Sequence, residues 1–204
     1  LQPGATAVLN ACDPVGLRFA ARLRAGVRRL FFAAASRGPR LAPASLSAHR
    51  IDVSWDGTCI ELEPSELADE LGKQLELRLI GEVFAENALA AALAAQSMGA
   101  RGSALRAALA QMPPPPGRFQ LVARAPNVVV DFAHTPDALA RTAEAARRLA
   151  GAARVTLVFG AGGGRDIGKR SLMGEAAAAV ADCVIVTTDN PRQEEPATIA
   201  GQIA

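Results

Sequence analysis

Short apolar runs alternate with polar, glycine- and proline-bearing segments along the whole chain, and two different rhythms are visible. Thr6–Asn10 (TAVLN) reads as a strand. Asp13 and Pro14 then form an N-cap and first-turn pair, with Gly26 expected to close the helix they start. RLFFAAA (29–35) is a second strand candidate, and residues 51–63 (IDVSWDGTCIELE) alternate about Asp56-Gly57, a strong hairpin signal. LELRLIG (75–81) reads as a strand. Asn87 is expected to cap an apolar helix, ALAAALAAQSM, ending at Gly99, and SALRAALAQ (103–111) is a further helix.

Past MPPPPGR (112–118) the rhythm changes to a repeated strand–loop–helix unit. Four prolines cannot continue a helix and favour a stiff, extended spacer, so the chain divides there. NVVVDF (127–132), RVTLVFG (154–160) and CVIVTT (183–188) are the strands. Thr135-Pro136-Asp137 starts the first helix, which Gly151 ends; SLMGEAAAAVA (171–181) is the second, and PATIAGQIA (196–204) begins a third. Apolar strands alternating with helices predict an α/β fold whose mainly parallel sheet is covered on both faces. Ligands of such sheets bind beyond the carboxyl ends of the strands. That rule collects DFAHTP, GAGGGRD and TTDNPR on one edge.

Composition narrows the function. With 22 basic and 20 acidic residues the net charge is +2, which argues against a dedicated nucleic-acid binder. The arginines scattered through alanine-rich segments read as solvated helix faces. Cys12, Cys59 and Cys183 match no zinc or CxxC spacing, fit a reducing cytoplasm, and read as buried small hydrophobes. No signal peptide is visible, and no apolar run is long enough to span a bilayer, so no membrane role is expected. The chain opens at Leu1 without a methionine and stops within a helical pattern, so an internal piece of a longer protein is expected.

The three loops offer distinct chemistry. Gly160, Gly162, Gly163 and Gly164 permit close backbone approach to a ligand, and Arg165 adds a planar two-donor fork. A dinucleotide fingerprint would need glycine where Arg165 stands. Asn190-Pro191-Arg192 places an arginine suited to a carboxylate beside Glu194 and Glu195; a surface turn with a solvated arginine fits the motif equally. Asp131 can accept from a sugar diol, and His134 can act as acid, base or hydrogen-bonding group. No serine or cysteine sits in a nucleophile-elbow context, and His49 reads as exposed in an arginine-flanked polar loop.

Taken together, GRFQLV, VVVDFAHTPDAL, LVFGAGGGRDIGKRSLMGEAA and ADCVIVTTDNPRQEEP resemble the carboxy-terminal domain of the Mur ligases. TAVLNACDPVG and LRLIGEVFAENALAAALAA resemble the back half of that family's central ATPase domain. The resemblance implies residues 1–112 from the central ATP-binding domain, a linker at 113–116, and a truncated Rossmann-like carboxy-terminal domain at 117–204. It further implies an ATP-dependent, magnesium-requiring amide ligase of peptidoglycan synthesis. Such an enzyme adds meso-diaminopimelate to UDP-N-acetylmuramoyl-L-alanyl-D-glutamate through an acyl phosphate, and a cytoplasmic monomer is expected. Residue by residue, Asn87 would contact adenine, Arg118 would reach the nucleotide, and Asp131 would hold the ribose hydroxyls. His134 would lie at the cleft as the candidate catalytic residue; Arg165, Asp189, Asn190 and Arg192 would hold diaminopimelate. Arg192 favours diaminopimelate over lysine as the added amino acid, since lysine-adding members lack it.

Three positions depart from the family pattern: Cys12 and Gly164 stand where aspartates are usual, and Phe84 where an asparagine is usual. The phosphate-binding loop, the magnesium ligands and the UDP-binding domain are expected upstream of Leu1, so this stretch alone is expected to lack ligase activity. A Rossmann-type oxidoreductase and a non-catalytic nucleotide-binding module are the competing readings.

Overall fold

A computed structural model describes residues 1–34 and 38–204, so Ala35, the last residue of the expected strand 29–35, lies outside the described residues. The chain divides into two compact units, Leu1–Pro116 and Gly117–Ala204.

The first unit is built on a five-stranded sheet in the order β1 (Thr6–Asn10), β2 (Arg28–Ala34), β3 (Leu46–Ser54), β4 (Gly57–Leu62) and β5 (Gln74–Leu77). β1, β2 and β3 run parallel, whereas β3–β4 and β4–β5 are antiparallel. The Asp56-Gly57 signal holds: Ser54 pairs with Gly57 across a tight hairpin. His49 is not in a loop but exposed on β3, with Nε2 3.1 Å from Glu61 of β4. The strand expected over 75–81 stops at Leu77, because the Thr58 hydroxyl takes over the next polar groups. It donates to the Leu79 carbonyl at 2.7 Å and accepts from the Gly81 N–H at 3.0 Å.

Four helices complete this unit: α1 (Pro14–Arg22), α2 (Glu66–Leu71), α3 (Glu82–Ser97) and α4 (Gly102–Gln111). Asp13 caps α1 by accepting from Val15 N–H, but the helix stops at Arg22, short of Gly26. The larger correction concerns α3. It begins at Glu82, so Asn87 is an exposed residue within the helix rather than its cap. Burial of Ala85 and Glu86 on the inner face extends the helix through a residue that would otherwise favour a terminus. Ala85, Ala88, Leu89, Ala92 and Leu93 of α3 bury against Leu46, Ile60 and Leu75 of the sheet and Leu105 of α4, forming the main core.

The second unit carries two strand pairs. β6 (Gln120–Ala123) and β7 (Val128–Val130) are antiparallel, and β8 (Thr156–Phe159) and β9 (Cys183–Val186) are parallel. The strand expected over 127–132 is thus shorter and pairs with β6. Asp131 ends it by turning its carboxylate onto backbone N–H groups. The helices are α5 (Pro136–Ala150), α6 (Lys169–Ala178) and α7 (Pro196–Ile203). Thr135 caps α5, its Oγ1 accepting from Ala138 N–H, and Gly151 ends it.

Two small cores share Phe159. One joins Leu139, Met173 and Ala177 to Leu157 and Val184; the other joins Ala161, Ile199 and Ile203 to Val186. On the opposite side of the β8–β9 pair, Val158 and Ile185 face each other in register and stay 61% and 48% exposed. α6 and α7 meet where Gly174 has no side chain; a Cβ there would lie 1.8 Å from the Ile203 carbonyl oxygen. Arg147 of α5 donates to the Val180 carbonyl and to Asp182, whose carboxylate also accepts from Val155 N–H. The three cysteines are free and half-buried rather than buried.

Candidate functional site

The parallel β8–β9 pair sends the glycine-rich loop and the loop 187–195 out from the same end, as the sheet-edge rule requires. The two loops are joined directly. Gly163 N–H donates to the Asn190 carbonyl at 2.9 Å, and Arg192 Nη1 donates to the Gly163 carbonyl. A Cβ on Gly163 would fall 1.9 Å from the Pro191 carbonyl oxygen, so only glycine allows this approach. Arg165, Asp189, Asn190 and Arg192 are all exposed, and Asp189 Oδ1 accepts from Asn190 N–H. Arg192 holds φ at +52°, a left-handed conformation that folds its side chain back over the glycine loop.

Beneath these loops lies a pair that sequence reasoning missed. Arg170 is completely buried, not a solvated arginine on an alanine-rich helix. Its Nη1 donates to Glu194 Oε2 at 2.8 Å and to Gln202, and its Nη2 donates to Glu194 Oε1 at 3.0 Å and to the Gly162 carbonyl at 3.2 Å. Glu194 Oε1 also accepts from Gly164 N–H at 2.6 Å. The Arg170 guanidinium, with help from that N–H, holds the Glu194 carboxyl down to about 2. The one sequence signal for the pair was Glu194 beside Arg192.

The third loop is organised by Asp131. Oδ2 accepts from Phe119 N–H at 2.7 Å; Oδ1 accepts from Ala133 N–H at 2.9 Å and Thr142 Oγ1 at 3.0 Å. Among the described residues Oδ1 thus accepts two bonds and Oδ2 one, where each carboxylate oxygen has two acceptor positions. Exposed Phe132 has the Arg118 guanidinium 4.7 Å above its ring and the tilted His134 ring 5.0 Å away. His134 Nδ1 faces the Phe132 carbonyl at 3.1 Å, and the His134 carbonyl accepts from Lys169 Nζ at 2.8 Å. That last bond ties the DFAHTP loop to the start of α6.

The structure therefore gathers Arg118, Asp131 and His134 around Phe132, and gathers Arg165, Asp189, Asn190 and Arg192 across two bonded loops. Asn87 lies on α3 of the first unit. Among the described residues no group of three or more His, Cys, Asp or Glu side chains is arranged to hold a metal ion, and no helix is long and apolar enough to cross a membrane.

Comparison with known proteins defines the class. Residues 117–204 match the Mur ligase glutamate ligase domain. The UDP-N-acetylmuramoyl-L-alanyl-D-glutamate–2,6-diaminopimelate ligases of Alkalilimnicola ehrlichii and Acidovorax are 42% and 37% identical over 97% of this chain. A solved structure of a ligase of the same name is 31% identical, with a TM-score of 0.60 over 98% of this chain. The chain belongs to the Mur ligase family, of which residues 117–204 are the carboxy-terminal domain. It spans 38% of the length of those two curated relatives and 40% of the solved chain.

Proposed function

We propose that this chain is part of an ATP-dependent amide ligase that joins meso-diaminopimelate to UDP-N-acetylmuramoyl-L-alanyl-D-glutamate in peptidoglycan precursor synthesis. The relatives that carry this name and align with nearly the whole chain support the reading. The observation that carries it is the bonding of the glycine loop to the loop after β9, which leaves Arg165, Asn190 and Arg192 exposed at one sheet edge. Two guanidinium groups beside an amide suit an incoming amino acid that bears a second carboxylate and amine.

In this reading the terminal carboxylate of the nucleotide-linked dipeptide takes a phosphoryl group from ATP. The amine of diaminopimelate attacks the resulting acyl phosphate, and the tetrahedral adduct collapses to the amide with loss of phosphate. The chain's own residues bind and orient. Arg165, Asn190 and Arg192 fix the acceptor amino acid, with Asp189 bracing the turn. Asp131 offers Oδ2 to a ribose hydroxyl, and Arg118 neutralises nucleotide charge. His134, its ring tilted against that of Phe132, lines the same surface without an assigned proton transfer. The adenine role of Asn87 is a separate assignment to the first unit, residues 1–112 being read as the back of the central domain with 113–116 as its linker. Magnesium, when bound, would neutralise phosphate charge; its ligands are assigned upstream of Leu1. Soluble nucleotide substrates place the work in the cytoplasm, with no nucleic-acid or membrane partner, and a monomer suffices.

An oxidoreductase fits less well. The amides of Gly163 and Gly164 already donate to Asn190 and Glu194, so they do not face a pyrophosphate. The deciding experiment is phosphate release from ATP by the full-length protein with the UDP-linked dipeptide. Release that requires diaminopimelate and is not supported by lysine is the expected result; release independent of any added amino acid sinks the proposal.

A further inference from the structure

Arg170 and Glu194 belong to none of the roles assigned above, yet they form a charge pair in the second unit whose arginine is completely buried and whose glutamate is half-buried. The pair sits where the two acceptor loops meet, not within a helix–sheet core. Glu194 is the residue that both loops use. Its own N–H donates to the Pro191 carbonyl at 3.0 Å, Oε1 takes the Gly164 N–H at 2.6 Å, and both oxygens take the guanidinium. Arg170 extends the grip to the Gly162 carbonyl on one side and to Gln202 of α7 on the other.

We infer that Arg170 and Glu194 are positioning residues for the acceptor amino-acid site, locking the glycine loop to the loop after β9 so that Arg165 and Arg192 present one carboxylate-binding edge; this rests on the function proposed above. The loop residues 160–166 have no helix or strand of their own to fix them. The direction of Arg165 therefore follows from the backbone of Gly164, and that backbone is held by Glu194. Arg192 leans on Gly163 in the same way. Where an arginine is buried against its partner, apolar residues of similar volume often fill the space as stably. At this place, however, apolar residues could supply neither the acceptor for Gly164 N–H nor the donor for the Gly162 carbonyl.

That contrast gives the test. In the full-length protein, the double variant R170M/E194M fills the volume without charge and is made alongside E194Q. Steady-state rates are measured with diaminopimelate and ATP varied in turn, and folding is checked by thermal melting. In the folded double variant the KM for diaminopimelate should rise about tenfold or more, with the KM for ATP within about twofold of wild type. E194Q, which keeps an acceptor oxygen for Gly164 N–H, should show the smaller rise of the two. A folded double variant with an unchanged KM for diaminopimelate, or with both KM values rising together, overturns the inference. If R170M/E194M does not fold, E194Q carries the decision by the same split. A wild-type protein whose ATP turnover ignores diaminopimelate overturns the proposed function itself, and this inference with it.

Discussion

Asp131, proposed above to hold the ribose, has a structural part in the fold as well. Its carboxylate accepts three protein hydrogen bonds, two of them from backbone N–H groups. An asparagine at this position would present an NH2 to at least one of those donors. Asp131→Asn should therefore destabilise the second unit by about 1–3 kcal/mol, read by urea denaturation, before any ribose is considered. A loss of activity in that variant is interpretable only beside its stability. Arg192 is the cleaner probe, since it is exposed and, among the described residues, its side chain bonds to one carbonyl, that of Gly163. In the full-length protein, Arg192→Ala should raise the KM for diaminopimelate about tenfold or more while leaving that for ATP within about twofold, as expected for a lost charge-assisted contact. Equal effects on both would remove Arg192 from the acceptor site.

At the scale of elements, the loops around Glu194 make a pH prediction. The Glu194 carboxyl is held at about 2 by Arg170 and Gly164 N–H, against an ordinary value of about 4.3 in an unfolded chain. A depressed carboxyl stabilises the folded state fully above the unfolded value, and that contribution is lost as pH falls through the folded value. The melting-temperature advantage of wild type over Glu194→Gln should thus be constant near neutrality and shrink from about pH 4.3 down to about 2. Asp182, held low by Val155 N–H and Arg147, contributes in the same direction but equally in both proteins. An advantage independent of pH would mean that the charge of Glu194 does not contribute.

Elements also show what the sequence could carry. α5 was readable from both ends, because Thr135-Pro136 and Gly151 act locally on the backbone. α3 was not, because its start depends on the burial of Ala85 and Glu86 against a sheet, a tertiary effect that outweighs the preference of Asn87 for a terminus. The three candidate loops were legible from composition at the ends of apolar runs. The pair beneath them was not: Arg170 and Glu194 lie 24 residues apart, and an arginine in an alanine-rich helix looks solvated until its neighbours are known.

For the whole molecule, the two units differ in how they are built. The first buries a continuous core from five strands and three helices, while the second divides its apolar interior into two small clusters around Phe159. Among the described residues neither unit brings together three or more His, Cys, Asp or Glu side chains placed to hold a metal ion. Acyl-phosphate formation needs phosphate and magnesium sites that the proposed function assigns upstream of Leu1. The 204-residue chain on its own should therefore release no phosphate from ATP above background when given both the UDP-linked dipeptide and diaminopimelate. Robust turnover by this stretch would show that the division of labour is wrong.

The bare side of the β8–β9 pair has a practical cost at the bench. Val158 and Ile185, paired in register and 61% and 48% exposed, form an apolar stripe on a two-stranded sheet with open edges. Concentrated samples of this chain should self-associate through it, visibly as a rising scattering radius. Val158→Thr with Ile185→Thr keeps strand propensity while wetting the stripe, and should keep samples monodisperse to a higher concentration with little change in melting temperature.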